Sequence, residues 1–257
     1  MTHPIFKESP LNTEQRQLMV DKGVWKPSCP VSLDRLNVVH FSYHTFKGEI
    51  CHAGQIVVMD AAAPHVANIF RHLFLMRFPI HSAKPIEHFD GSDDASMAAN
   101  NTSAFNYRKI AIEGNDAVSI HSYGLAVDVN PVQNPYAGHF SKHPAKDCGQ
   151  MEVWPTEGLE YMNRGNQRPG MVEEIVDTFA HNGFKDWGGS WNDLLDYHHF
   201  QTPRILAELL AEMDARHAID FFDYYVLRSN KVTLTKGIIE DYKNGPNSFL
   251  RKYGIPL

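Results

Sequence analysis

The stretch 119–128 sets an imidazole, His121, and a carboxylate, Asp128, seven positions apart with Gly124 between them. A fully extended chain would hold those side chains about 23 Å apart, at roughly 3.3 Å per residue. Two ligands of one metal ion must each come within about 2.0–2.2 Å of it. If both bind one ion, the chain has to reverse between them. Tyr123-Gly124 can supply that reversal, because glycine accepts backbone angles that other residues resist. Beyond the reversal, residues 125–129 are mostly small or apolar and read as a buried strand carrying Asp128.

A second stretch offers what the first lacks. Trp187-Gly188-Gly189-Ser190-Trp191 is followed by Asp196-Tyr197-His198-His199-Phe200-Gln201. His199 is the candidate third ligand, with His198 as its rival. Two histidines, one carboxylate and an open fourth position suit a catalytic zinc site better than a closed structural one. Asp196, three residues before His199, is a spare carboxylate of the kind that serves as general base for metal-activated water. If this segment is a strand, alternation turns His198 to the opposite face from His199.

At these residues the chain resembles a known family. The pattern Ser-x-His-x-x-Gly-x-Ala-x-Asp from Ser119 to Asp128, followed by Asp-x-x-His-Phe-Gln from Asp196 to Gln201, resembles the zinc D-alanyl-D-alanine carboxypeptidases and L-alanyl-D-glutamate endopeptidases. Vancomycin-resistance dipeptidases and several phage endolysins belong to the same family. A third block, residues 100–108 ending in Arg108, adds to the likeness, which runs from about Cys29 to Gln201. The resemblance implies an α+β fold in which an antiparallel sheet, packed by helices, carries the zinc ligands. It also places the third ligand immediately before Phe-Gln, which selects His199. One Zn2+ per chain would be held by His121, Asp128 and His199. Arg108 would face the developing oxyanion and grip substrate, and Asp196 would shuttle the proton. Ser119 would hydrogen-bond near the ligands without acting as a nucleophile. Trp187 and Trp191 would wall the cleft, while Gly188 and Gly189 would let backbone approach substrate. The implied substrate is the stem peptide of peptidoglycan, cut at D-Ala-D-Ala or at L-Ala-D-Glu, with the cell envelope as the place of action. Many relatives carry Glu where Asp196 stands; Asp resembles the endolysin and L-alanyl-D-glutamate branch. Hedgehog-type signalling domains share the fold and metal arrangement. A zinc-bearing binding module is therefore the alternative, and a lytic effector using the same chemistry is another. The retained Asp196 and Arg108 favour the enzyme.

Composition narrows the classes. At 257 residues, with 43% hydrophobic and 21% charged residues, the chain has an ordinary globular balance and can bury a core without disulfides. A formal charge of −6 argues against nucleic acid as the main partner. No apolar run reaches the length of a membrane span, and the N-terminus lacks a basic region followed by an apolar core. Cys29, Cys51 and Cys148 show no CxxC spacing; a Cys29–Cys51 disulfide and buried free thiols are both open.

The elements that must position the site follow from periodicity. Residues 1–28 read as a lead-in with a short helix starting near Asn12-Thr13-Glu14-Gln15. Residues 36–43 and 50–59 read as strands joined at Lys47-Gly48-Glu49. Val66, Ile69, Phe70, Leu73 and Phe74 mark a core-facing helix over about 62–76. Residues 80–89 read as a strand, 90–101 as a surface loop, and 105–112 as a strand carrying Arg108. Residues 137–169 read as largely loop, with His139 and His143 as a weak ligand pair. Helices are expected over about 171–181 and 204–217, the latter opening a helical extension. The division by sequence is therefore a lead-in (1–28), a catalytic domain (29–203) and a C-terminal extension (204–257).

Overall fold

The computed structural model describes residues 3–110, 117–138, 152–192, 194–228 and 231–255. Its architecture is α+β, with small, mostly antiparallel sheets packed by helices. Strand β1 (Phe6–Pro10) leads into helix α1 (Thr13–Asp21), then β2 (Leu36–His44), β3 (Ile50–Met59) and helix α2 (Ala63–Leu75). Asn12 and Gln15 cap α1 reciprocally, each side chain accepting the other's backbone N–H. The expected hairpin forms the larger sheet, in the order β1-β2-β3, with Gly48 at φ 78° in its turn. The apolar stripe of α2 lies across β2, where Phe70 stacks on Phe41 with ring centroids 3.7 Å apart.

Next come β4 (Ser82–Ala83), α3 (Asp93–Ala98) and β5 (Asn101–Thr102), with β4 and β5 paired in parallel. The expected strand over 80–89 therefore shrinks to two residues. Pro85, which has no N–H to give a ladder, precedes a 3-10 turn over Ile86–Phe89. The stretch 90–101 holds a helix as well as loop. Ser92 caps α3 by accepting the N–H of Ala95, a start signal that the polar composition of the stretch hid.

The functional half follows as β6 (Ala126–Asp128), β7 (Tyr136–Gly138), β8 (Glu152–Trp154), α4 (Val176–His181), β9 (Asp186–Trp187), β10 (Leu195–Asp196) and β11 (His199–Gln201). These strands make two three-stranded antiparallel sheets, β6-β11-β9 and β10-β7-β8. The helix expected from 171 starts as a 3-10 turn over Val172–Ile175 and becomes α-helical only at Val176. His139, His143 and Cys148 lie outside the described residues. Cys29 and Cys51 are free thiols, so the disulfide alternative falls away. The Cys29 thiol, 3.3 Å from the Ser122 carbonyl, is pushed up to about 11 by burial.

The chain closes with α5 (Arg204–Glu212), α6 (Ala215–Arg228), α7 (Ile238–Asn244) and α8 (Pro246–Lys252). The helix expected to reach 217 stops at Glu212, where Met213 turns to an extended conformation, and the aromatic cluster falls on α6. One cluster of buried side chains takes members from all three sequence segments, including Leu11 and Met19, Phe41 and Phe200, and Leu210, Phe221 and Phe249. Arg35 fastens the last segment down. It grips Asp60 through Nε and Nη2, at 2.7 and 3.1 Å, and donates to the carbonyls of Met213 and Leu210 at the end of α5. Among the described residues no helix is long and apolar enough to cross a membrane.

Ending the chain after His217 would strip Phe221, Phe222, Tyr225, Phe249 and Leu250 from that cluster. Each buried aromatic lost typically costs about 3–5 kcal/mol, so together they exceed the roughly 5–15 kcal/mol that keeps a domain folded. The shortened protein should show no cooperative thermal transition by circular dichroism. A two-state melt near that of the full chain would overturn this view of the core.

Candidate metal centre

His121 sits on a 3-10 turn over Ile120–Tyr123. The Ser119 hydroxyl accepts the His121 N–H at 3.3 Å, and Gly124 ends the turn at φ 68° with its N–H on the His121 carbonyl. A Cβ on Gly124 would lie 2.5 Å from the Met59 nitrogen, which donates to the Gly124 carbonyl. Glycine is thus required twice over, by the left-handed backbone and by contact with the end of β3. The chain then enters β6, and Asp128 lands directly opposite His199 of β11 in the antiparallel register.

These steps bring the three expected ligands together, although only two of them ride on a sheet. His121 Nε2 lies 3.1 Å from Asp128 Oδ2 and 3.2 Å from His199 Nδ1, and His199 Nδ1 lies 3.0 Å from Asp128 Oδ1. Ligands at about 2.0–2.1 Å from a tetrahedral ion stand about 3.3 Å from one another, so the spacing fits such an ion with little adjustment. The outward nitrogens are engaged: His121 Nδ1 faces the Ala104 carbonyl at 2.5 Å, and His199 Nε2 faces Gln201 Oε1 at 2.9 Å. That leaves His121 Nε2 and His199 Nδ1 for the centre, the arrangement usual for histidine ligands held by a second hydrogen bond. All three side chains are buried. Burial alone would raise the Asp128 carboxyl, but the adjacent His121 and His198 rings hold it well below the usual carboxylate range.

A second group adjoins the first. Asp196, on β10, places Oδ1 2.9 Å from His198 Nε2. The contact is an ion pair by distance but not an aligned hydrogen bond, and Oδ1 accepts no other hydrogen bond among the described residues. His198 donates through Nδ1 to the Asn134 carbonyl at 2.8 Å. Both ring nitrogens of His198 thus face other partners, the Asn134 carbonyl and the Asp196 carboxylate. Burial acts to lower the His198 pKa, but the Asp196 and Asp128 carboxylates outweigh it and raise the ring to about 10. Asn134 is itself locked: its side-chain oxygen accepts Arg164 Nη2 at 2.9 Å, and Arg164 makes a two-point pair with Glu173 at 2.6 and 2.7 Å.

The segment that runs from before the His121 turn through β11 also matches a known family. Residues 113–202 fit the family model described as D-alanyl-D-alanine carboxypeptidase. The match spans 90 of the 257 residues, so the likeness is to that segment of the chain. Comparisons with curated proteins and with solved structures gave no match. The family is a class of peptidases, and the buried His121, Asp128 and His199 group suits the zinc on which its members depend. Ser119, Trp187, Trp191 and Asp196 also fall inside the segment matched to the D-alanyl-D-alanine carboxypeptidases; Arg108 falls before it.

Arg108 is not on a strand. Residues around it run as irregular chain with one isolated bridge, Lys109 to Val118. Its backbone is instead pinned to the His121 turn: the Arg108 N–H donates to Ser122 Oγ, and its carbonyl accepts from the Ser119 N–H and the Ser122 hydroxyl. A ladder of side-chain and loop bonds takes the place of the strand expected to carry Arg108. The guanidinium pairs with Asp93 of α3 at 3.0 Å. Trp187 turns its N–H to the Tyr197 carbonyl, and Trp191 donates to Asp186 with its ring 5.5 Å from that of His199. The expected role of the two glycines needs correction. A Cβ on Gly188 would meet the Asp196 carbonyl at 2.4 Å, and one on Gly189 would meet the Trp187 ring at 2.2 Å. They admit Asp196 and Trp187, so close packing within the chain explains them.

Sequence reading missed Ser122, Asn134, Arg164, Asp186 and Gln201. Four of the five act through residues distant in sequence, which no local spacing reveals. Gln201 was the exception, since it stands two residues after His199 and shares its strand face. Gly124→Ala should cost at least about 1–2 kcal/mol for the left-handed backbone alone, more with the Met59 clash. A thermal melt should therefore drop clearly, with zinc uptake falling alongside. Unchanged melting would mean that the turn tolerates a side chain.

Proposed function

We propose that this chain is a zinc metallopeptidase hydrolysing the stem peptides of peptidoglycan, at D-Ala-D-Ala or at L-Ala-D-Glu. The observation that carries the reading is the convergence of His121 Nε2, Asp128 and His199 Nδ1 inside the segment that matches the carboxypeptidase family. These three residues would hold one ion and leave a fourth position open. Zinc bound there supplies a Lewis acid and makes water a nucleophile near neutral pH.

The chain's own groups would do the rest. Asp196 accepts the proton released by the attacking water and returns it to the leaving amine. Support comes from its buried Oδ1, which is held beside His198 but accepts no aligned hydrogen bond among the described residues. Arg108 places a permanent positive charge toward the carbonyl oxygen of the scissile bond. Its support is the backbone pinning to the His121 turn and a buried Nε with no acceptor among the described residues. Loss of one such donor commonly costs about 3–4 kcal/mol in the transition state. Ser119 shapes the turn beside substrate, and Trp187 and Trp191 border the cleft. Residues 29–203 would supply the catalytic machinery, flanked by 1–28 and 204–257. A peptidoglycan substrate would put the work in the cell envelope.

Elemental analysis of the purified or zinc-reconstituted protein should find about one zinc per chain. His121→Ala and His199→Ala should each abolish uptake, whereas His198→Ala should retain it. No bound transition metal in any preparation would sink the centre. Muropeptides incubated with the zinc-loaded protein should lose one D-Ala or be cleaved after L-Ala, two products that mass spectrometry separates. Intact muropeptides across both bonds would overturn the substrate class.

Asp196→Asn should keep zinc and fold, and lose about 10²–10⁴ in turnover. The loss should fall in kcat more than in KM, because the proton moves in the transition state. A fully active Asp196→Asn enzyme would falsify the role of this carboxylate while leaving the metal centre standing.

A further inference from the structure

The His199 ring can ligate through either nitrogen, and its chemistry depends on which one carries the proton. Its Nε2 faces Gln201 Oε1 at 2.9 Å. An amide can present oxygen or nitrogen to that ring, so Gln201 alone would not decide. Asp186 decides it. The Gln201 Nε2 donates to Asp186 Oδ2 at 2.7 Å, and reversing the amide would set its oxygen against the carboxylate. Gln201 must therefore turn its oxygen to His199, which must answer with an N–H at Nε2. The Nδ1 lone pair then points at Asp128 and His121, 3.0 and 3.2 Å away.

Asp186 is fixed in turn. Its other oxygen, Oδ1, accepts the Trp191 indole N–H at 2.8 Å. Backbone register supports the same line: Gln201 lies directly opposite Asp186 across the β11–β9 pair, and His199 lies directly opposite Asp128 across β11–β6. His199 and Gln201 share one face of β11, while Phe200 between them points into the core and stacks on Phe179 at 4.0 Å.

We infer that Asp186 and Gln201 form a hydrogen-bonded relay that locks His199 in the tautomer presenting Nδ1 to the metal, with Trp191 holding Asp186 in place. The inference rests on the metal-centre reading and adds to it residues that touch neither ion nor substrate; they are positioning residues. The relay also assigns Trp191 a duty beyond bordering a cleft.

The test uses the full chain and zinc ion in competition with a chromophoric chelator, with circular dichroism to follow the fold. Gln201→Leu removes the acceptor, and zinc affinity should fall about 10–100-fold. Asp186→Asn lets the Gln201 amide reverse, and affinity should fall by a smaller factor. Gln201→Glu puts two carboxylates together and should also weaken binding. The pair Asp186→Asn with Gln201→Glu restores the pattern, because an amide at 186 can donate to a carboxylate that accepts from His199. Affinity should therefore recover toward that of the wild type. Nitrogen-15 NMR of labelled histidine in the zinc-loaded protein should show His199 protonated at Nε2 in the wild type and in that pair. If Gln201→Leu does not fold, the two single substitutions and their combination decide the matter. Wild-type affinity in all single variants, or a double variant no better than the weaker single one, would overturn the relay while the centre stands. A wild-type chain that takes up no zinc would overturn both.

Discussion

Everything at the centre depends on one antiparallel pairing. With β6 and β11 in register, Asp128 and His199 stand opposite one another with their ligand atoms 3.0 Å apart. A slip of one residue would turn His199 to the core face and Phe200 toward Asp128, since side chains alternate along a strand. Burial holds that register. Phe200 stacks on Phe179 behind the strand, so sliding would have to expose an aromatic side chain to bring the wrong residue forward. A short strand with few hydrogen bonds of its own is thus kept in place by what lies behind it.

The third candidate ligand arrives by a different route. His121 belongs to a single tight turn, and turns of that length have little intrinsic stability. Its position is imposed from three sides: the Ser119 cap, the Gly124 contact with the end of β3, and the ring's own bond to the Ala104 carbonyl. The large hairpin sheet therefore contributes to the centre without supplying a ligand, because its last strand abuts the turn that does.

Sequence made the candidate ligands legible because metal chemistry restricts residue types severely. His121, Asp128 and Asp196 could be picked out by type and spacing, and Gly124 by the need for a reversal, whereas the choice of His199 over His198 came from the family resemblance. The long amphipathic helix was equally plain from the 3.6-residue recurrence of Val66, Ile69, Phe70 and Leu73. Short elements were not legible. The stretch around Arg108 reads as a strand, but pairing is a property of two segments, and the Ser119–Ser122 turn offers bonds to Arg108 that no ladder supplies. Asn134 and Arg164 were invisible for the same reason: their work is to hold His198 and one another across loops. The glycines at 188 and 189 were recognised as places of close approach, but sequence could not say that Asp196 and Trp187 are what approaches.

The Arg35 clamp has a consequence for how the protein is made. Its partners at Leu210 and Met213 are synthesised long after Arg35 itself, and α6 packs beside the Asp60–Ala62 turn later still. Through most of translation the nascent chain therefore carries the half-buried Arg35–Asp60 pair and its apolar surroundings without their cover. Contacts this distant in sequence are slow to close, and surfaces waiting for them are where nascent chains stick to one another. Yield in a foreign host should accordingly respond to slower synthesis or to extra chaperone capacity, and His199 of the candidate centre leaves the ribosome only eleven residues ahead of Leu210.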